Sequence, residues 1–142
     1  MCLELGYKSP IVQFLGRCAV IAVVDDEDSV RRAVVRLLQS AGHSAQGFAS
    51  GSEFLRSLPG DKPDCLMLDL QMPGLSGTEV QRALNRAGAH LPVIVMTAND
   101  APGAREECMR EGAVAYLSKP VDVLVLLDAV DVAIGARKSI DG

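Results

Sequence analysis

Residues 65–70 read Cys65-Leu66-Met67-Leu68-Asp69-Leu70, an apolar run carrying a single carboxylate near its end. A half-exposed strand alternates apolar with polar residues. Here both faces are apolar, which suits a strand covered by helices on each side. A carboxylate in such a run is costly to bury unpaired, so Asp69 marks the place to look for chemistry. Two other runs share the pattern, Cys18-Ala19-Val20-Ile21-Ala22-Val23-Val24 and Pro92-Val93-Ile94-Val95-Met96-Thr97. Ala113–Ser118 and the weaker Ser44–Phe48 bring the strands to five.

Helical patterns fill the gaps. In Asp28–Ala41, Val30, Val34, Leu37, Leu38 and Ala41 fall on one face with Arg31, Arg32, Arg36 and Gln39 opposite, and Gly42 ends the run. Ser50-Gly51-Ser52-Glu53 and Ser76-Gly77-Thr78-Glu79 each place a hydroxyl three residues before a carboxylate, the capping-box pattern, and predict helices near 52–58 and 77–88. Ala104–Glu111, stopped by Gly112, and Val121–Ile134 complete five helices. Strand and helix alternating five times imply a parallel sheet, doubly wound by helices through right-handed crossovers: an α/β fold.

The 142 residues suit one domain. Apolar residues at 49% and charged residues at 23% match globular averages, which argues against disorder for the bulk of the chain. A formal net charge of -4 and the lack of any basic run argue against direct nucleic-acid binding, whose affinity comes largely from phosphate neutralisation. The four cysteines form no CxxC pair; Cys18 and Cys65 read as small buried hydrophobes, and His43 and His90 stand alone. Glu4, Gly6, Lys8 and Pro10 break up the first 18 residues, so they do not form a signal peptide, and no window is long and apolar enough to span a membrane. The expectation is a cytoplasmic protein with an N-terminal extension over 1–18 (a short helix from Pro10 to Gly16, or disordered), a domain over 19–135 and a tail over 136–142.

All strand C-termini of a parallel sheet open on one edge, where ligands bind. Asp25-Asp26 follow the first strand, Asp69 ends the third, Thr97 ends the fourth and Lys119-Pro120 follow the fifth. Singly each has a plain explanation: an acid capping the next helix, a threonine bonded to backbone, a solvated loop lysine. Their arrival together at one edge is the signal. Three carboxylates about 4 Å apart repel by roughly 4 kcal/mol per pair at an effective dielectric near 20. The site must therefore hold a raised pKa or a cation. Mg²⁺ fits, since it prefers oxygen ligands and commonly takes one or two carboxylates plus phosphate oxygens. Lys119 adds a point positive charge for an anion and Thr97 a hydroxyl donor, which together read as phosphoryl chemistry on an aspartate.

Val23-Val24-Asp25-Asp26, Leu68-Asp69-Leu70-Gln71-Met72-Pro73-Gly74-Leu75-Ser76-Gly77, Met96-Thr97-Ala98 and Tyr116-Leu117-Ser118-Lys119-Pro120 resemble the receiver domain of two-component response regulators. The resemblance covers about residues 19–135. The pattern around Phe48-Ala49-Ser50 and Gln71-Met72-Pro73-Gly74 is similar to FixJ-type receivers. It implies a flavodoxin-like fold with strand order 2-1-3-4-5 and Asp69 as acceptor of a phosphoryl group from a histidine kinase. It further implies Mg²⁺ held by Asp26, Asp69 and the backbone carbonyl of Gln71, with Asp25 contributing directly or through water. Lys119 would contact the phosphoryl group, Thr97 would move to bond it, and Tyr116 would turn inward when Thr97 moves. A cis bond before Pro120 is implied as well. The switched surface would lie around the fourth helix, the fifth strand and the fifth helix, and would be read by an unidentified downstream protein.

Two features stand outside the resemblance. The 121–134 helix is more apolar than one buried face needs. With Leu124, Leu127, Val130 and Ile134 turned to the sheet, Val123, Val125, Leu126 and Val132 are left over, which suggests either a wide buried stripe or a homodimer contact. The length leaves no room for an output domain, so a stand-alone module is expected. Two rival readings remain. Asp26-Glu27-Asp28-Ser29-Val30 also resembles the nucleophile motif of haloacid-dehalogenase-type phosphatases, with Asp26 as nucleophile, though no distal acidic pair or cap insertion accompanies it. The other is an interaction module that works without phosphorylation.

Overall fold

The computed structural model describes residues 19–60 and 62–141. Strands β1 (Val20–Val24), β2 (Ser44–Phe48), β3 (Cys65–Asp69), β4 (Val93–Thr97) and β5 (Ala113–Ser118) alternate with helices α1 (Asp28–Ser40), α2 (Gly51–Ser57), α3 (Gly77–Arg86), α4 (Ala104–Arg110) and α5 (Val123–Asp141). All strand pairs are parallel and the order is β2-β1-β3-β4-β5, the doubly wound, flavodoxin-like arrangement expected from the sequence.

The runs that are apolar on both faces form the three central strands, and every residue of β3 and β4 is buried. Alternate side chains serve two cores. Leu66, Leu68, Val93 and Val95 pack on one face with Phe54, Val80 and Leu84, while Met67, Ile94, Met96, Ile21 and Val23 pack on the other with Leu38, Leu126 and Val130. The weak pattern of Ser44–Phe48 has a positional cause: β2 is an edge strand, with Gln46 and Gly47 exposed.

Local chemistry sets the helix starts. Ser76 Oγ accepts from the Glu79 N–H and Glu79 Oε1 accepts from the Ser76 N–H, completing the capping box. At α2, Ser50 accepts from the Glu53 N–H, but the Glu53 carboxylate reaches back to the Ala49 N–H, one residue further than the pattern predicts. Helix α5 begins at Val123, because Asp122 Oδ1 accepts from the N–H groups of Leu124 and Val125 and so caps the helix there. It continues past Ile134 to Asp141.

The facing of α5 needs correction. Leu126, Ala129, Val130, Ala133 and Ile134 are buried, whereas Leu124, expected to face the sheet, is 76% exposed. Leu126, expected to be left over, is core. Val123, Val125 and Val132 are exposed, which goes against the wide buried stripe for these three. The cause is rotational: residues 123–127 are all apolar, so the sequence carries no preferred face there, and the sheet contact selects one. The extension expected over residues 1–18 lies outside the described residues.

Candidate functional site

At the C-terminal edge of the sheet, the ends of adjacent strands β1 and β3 bring Asp25 and Asp69 together. Both are buried, Asp25 completely and Asp69 to 5% exposure, while Asp26 is exposed beside them. One carboxylate oxygen from each of the three lies within 4.8 Å of the others, and among the described residues these three form a group able to hold a cation. The all-oxygen donor set is the kind that Mg²⁺ takes. Lys119, carried in by the end of β5, lays its Nζ 2.9 Å from Asp25 Oδ2 and 3.4 Å from Asp69 Oδ1. The Lys119-Pro120 peptide bond is cis, as the resemblance implied.

The charges leave a clear mark. Burial pushes the Asp69 carboxyl up, the neighbouring Asp25 pushes it further, and Lys119 together with the Gln71 N–H opposes them, leaving it at about 6. Burial alone would lower the Lys119 pKa, but its hydrogen bond to Asp25 and the charges of Asp25 and Asp69 outweigh burial and hold it above the ordinary lysine value. One half-buried cation, in contact with Asp25 and Asp69, thus stands against a group of three carboxylates, and the pocket keeps excess negative charge that a divalent ion would neutralise. Gln71 opens the exposed loop after β3; its backbone N–H bonds the Asp69 carboxylate, and its side-chain amide donates to the Asn99 carbonyl at 3.5 Å.

Asp25 is held in place from both sides. Its Oδ1 accepts from the Glu27 N–H, and its carbonyl accepts from Arg31 Nη1 at 2.8 Å. The sequence placed Arg31 on the solvent face of its helix. In the structure the guanidinium turns back to Asp25, with Asp28 as its salt-bridge partner. The side chain crosses β2 at Gly47, where a Cβ would sit 3.0 Å from the Arg31 stem. The usable signal was the missing side chain at Gly47, and it can be read only once the β1–β2 pairing is known.

Thr97 is fully buried at the end of β4, and its hydroxyl is occupied: Oγ1 donates to the Asn99 carbonyl at 2.9 Å and accepts from the Asn99 N–H at 3.1 Å. Tyr116 donates its hydroxyl to Asp100 Oδ1 at 2.8 Å, and the Arg105 guanidinium lies 5.8 Å from its ring centre. Burial raises the phenol, and its bond to Asp100 raises it further, to about 12. Asp100 and Arg105 were missed by the sequence reading; both lie in or beside the loop between β4 and α4, which has no periodic pattern.

The geometry agrees with comparisons to known proteins. The profile of the response regulator receiver domain matches residues 21–131. Nodulation protein W of Bradyrhizobium diazoefficiens is 40% identical over 112 residues, covering 79% of this chain and 49% of that protein. The transcriptional regulatory protein FixJ of Azorhizobium caulinodans is 38% identical over 116 residues, covering 81% of this chain and 54% of its own length. The crystal structure of a response regulator receiver protein from Burkholderia phymatum superposes with a TM-score of 0.73 at 47% identity, over 82% of this chain and 94% of that one. The chain spans about half the length of those two curated relatives. Among the described residues, no helix is long and apolar enough to cross a membrane. With the fold, the acidic pocket and this match over most of its length in agreement, the chain belongs to the response regulator receiver family, a class of phosphoacceptor signalling modules rather than enzymes.

Proposed function

We propose that Asp69 accepts a phosphoryl group from a phosphohistidine of a cognate histidine kinase in the cytoplasm. The observation that carries this is the buried Asp69 carboxylate, 3.4 Å from Lys119 Nζ and grouped with the carboxylates of Asp25 and Asp26. An Asp69 oxygen attacks phosphorus as the bond from phosphorus to the donor imidazole nitrogen breaks, and the imidazole leaves with that electron pair and takes up a proton. Lys119 holds a positive charge against the transferred oxygens. Asp26, Asp69 and the Gln71 carbonyl, with Asp25 directly or through water, would hold Mg²⁺. When bound, the ion neutralises charge on the transferring group.

Thr97 and Tyr116 are the readout in this proposal. The added charge at Asp69 draws the Thr97 hydroxyl away from Asn99, Tyr116 turns into the vacated space, and the surface of α4, β5 and α5 changes for a downstream protein partner. Self-association through the 121–134 region accompanies that switch. Gln71 and Asn99, each two residues beyond Asp69 and Thr97, set how water reaches the phosphoryl group; exchanging both should change its decay rate. The phosphatase reading is not favoured, since Lys119 is bonded to Asp25 and Asp69 while Asp26 lies exposed.

The test is to incubate the protein with acetyl phosphate and Mg²⁺, trap the acyl phosphate with borohydride and map the label. Label on Asp69 that is lost in Asp69→Asn supports the proposal. Label on Asp26, or a mass shift that survives Asp69→Asn, overturns it.

A further inference from the structure

We propose that Arg31 is a positioning residue for the cation site: it fixes the peptide between Asp25 and Asp26, and Gly47 is glycine to let it do so. This rests on the reading of the acidic pocket as a Mg²⁺ site. It adds to that reading a residue that touches neither the ion nor the phosphoryl group.

The three carboxylates of the cation site are not held alike. Lys119 contacts both Asp25 and Asp69. Asp26 is exposed, and no bond to another described residue holds its carboxylate. What aims Asp26 is therefore its backbone. The peptide unit is planar, so the Asp25 carbonyl and the Asp26 N–H and Cα turn as one body. On one side of that unit the Asp25 N–H donates to the Phe48 carbonyl at 3.1 Å. On the other, the Asp25 carbonyl accepts from Arg31 Nη1 at 2.8 Å. This second bond fixes the plane from which Asp26 departs. A carbonyl on a fully buried residue that lost its donor would turn to find another, and Asp26 would turn with it.

Arg31 is itself oriented. Its Nη2 pairs with Asp28, one turn back on α1, which leaves Nη1 for the carbonyl. A planar guanidinium fork makes both contacts at once, as an ammonium could not. The stem lies over β2, where a Cβ on Gly47 would come within 3.0 Å of both Arg31 Cγ and Cδ. Gly47 is exposed on an edge strand, where strand propensity favours almost any other residue. It has no positive φ that would demand glycine. The close approach of Arg31 is what does.

Electrostatics and positioning predict opposite signs. Arg31 is a cation beside a cation site, so its removal should favour Mg²⁺, the more so because Asp28 then loses its partner. Positioning predicts weaker binding, and hydrogen-bond partners of metal ligands are typically worth about 10–100-fold in affinity.

The experiment titrates Mg²⁺ alone, at constant ionic strength, into the isotopically labelled full chain and follows the amide resonances of Asp26 and Asp69. Wild type, Arg31→Met and Gly47→Val are compared; the last keeps every charge and supplies a better strand former. Expected is a Kd at least about tenfold weaker in both variants. The Asp25 carbonyl carbon resonance should shift in both before any Mg²⁺ is added. In urea unfolding without metal, Gly47→Val should be at least as stable as wild type. Unchanged or tighter binding in Arg31→Met overturns the proposal, as does an unmoved Asp25 carbonyl resonance. Wild-type affinity in Gly47→Val overturns the part assigned to Gly47. Affinity lost only in step with stability in both variants marks a structural role and overturns the whole. A wild type that binds no Mg²⁺ removes the metal site from the reading above, and this proposal with it. If both variants bind weakly while acetyl phosphate leaves wild-type Asp69 unlabelled, Arg31 keeps its role and the phosphoacceptor reading falls.

Discussion

Asp69→Asn should make the metal-free protein more stable at neutral pH while removing the proposed phosphoacceptor. The Asp69 carboxyl sits at about 6 in the folded protein, raised first by burial and then by Asp25, against about 3.9 in an unfolded chain. Because the folded value is the higher one, the folded state binds more protons than the unfolded state between roughly pH 4 and pH 6. Stability contributed by this group therefore falls as pH rises through that window. About two units at roughly 1.4 kcal/mol each give a destabilisation near 3 kcal/mol at pH 7, and none below pH 4. Asparagine keeps the shape and leaves a carbonyl oxygen for Lys119, but it carries no charge. The variant should exceed wild type by up to about 3 kcal/mol at pH 7, a rise in Tm of roughly 6–12 °C for a chain of this length, and the two should converge at pH 4. Urea unfolding followed by far-ultraviolet circular dichroism, in EDTA at pH 4 to 8, measures both ends of this curve. Equal or lower stability of Asp69→Asn at pH 7, or a gap of the same size at pH 4, would refute the reasoning. Mg²⁺ at about a hundred times its Kd should return roughly 2.7 kcal/mol to wild type and less to the variant, which has lost one carboxylate.

Lys119→Met should cost about 3–5 kcal/mol at pH 7, because it leaves the fully buried Asp25 without its cation; the loss should shrink below pH 6 as Asp69 takes up a proton, again read by urea unfolding. Gly77→Ala places a Cβ 2.8 Å from the Leu70 Cα and 2.9 Å from the Asp69 carbonyl oxygen, backbone that cannot yield cheaply. A loss of about 1–3 kcal/mol in thermal melts, together with slower labelling of Asp69 by acetyl phosphate, is the expected result. Ser76→Ala removes the cap of α3 and should cost about 1 kcal/mol in the same melts, with labelling unchanged.

The parts of the fold legible in the sequence are those where one physical demand dominates. Three strands buried on both faces must be apolar along nearly their whole length, and β1, β3 and β4 are, apart from the Asp69 and Thr97 that end β3 and β4; strand ends in a parallel sheet must meet at one edge, and that rule alone brings Asp25, Asp69 and Lys119 together. Legibility fails where several residues satisfy the demand equally. Residues 123–127 are all apolar, so the sequence could not choose between Leu124 and Leu126 for the core; the choice falls to the Asp122 cap, which fixes where the helix starts, and to the sheet beneath it. Arg31 was misplaced for a related reason. Helical periodicity puts it opposite the apolar stripe, but its long side chain passes through the space left by Gly47 to reach the Asp25 carbonyl. Periodicity describes where a Cβ points, not where a flexible charged group ends.

On the proposed reading, the bonds at Thr97 and Tyr116 also bear on how the signal must be completed. Moving the Thr97 hydroxyl forfeits two bonds to Asn99, each worth about 1 kcal/mol net. Turning Tyr116 inward forfeits its bond to the Asp100 carboxylate and the Arg105 contact, about 1.5–3 and 0.5–1 kcal/mol respectively. One new bond from Thr97 to a charged phosphoryl oxygen returns only about 1.5–3 kcal/mol, while carrying a two-state equilibrium from 1:99 to 99:1 needs about 5.5 kcal/mol. Phosphorylation at Asp69 therefore moves the balance without completing it. The remainder has to come from whatever binds the altered surface, so occupancy of that surface and phosphorylation must each strengthen the other by the same factor. A receiver built this way responds fully only when its partner is present, and its partner-binding affinity, measured with and without phosphoryl group, is the direct measure of the switch.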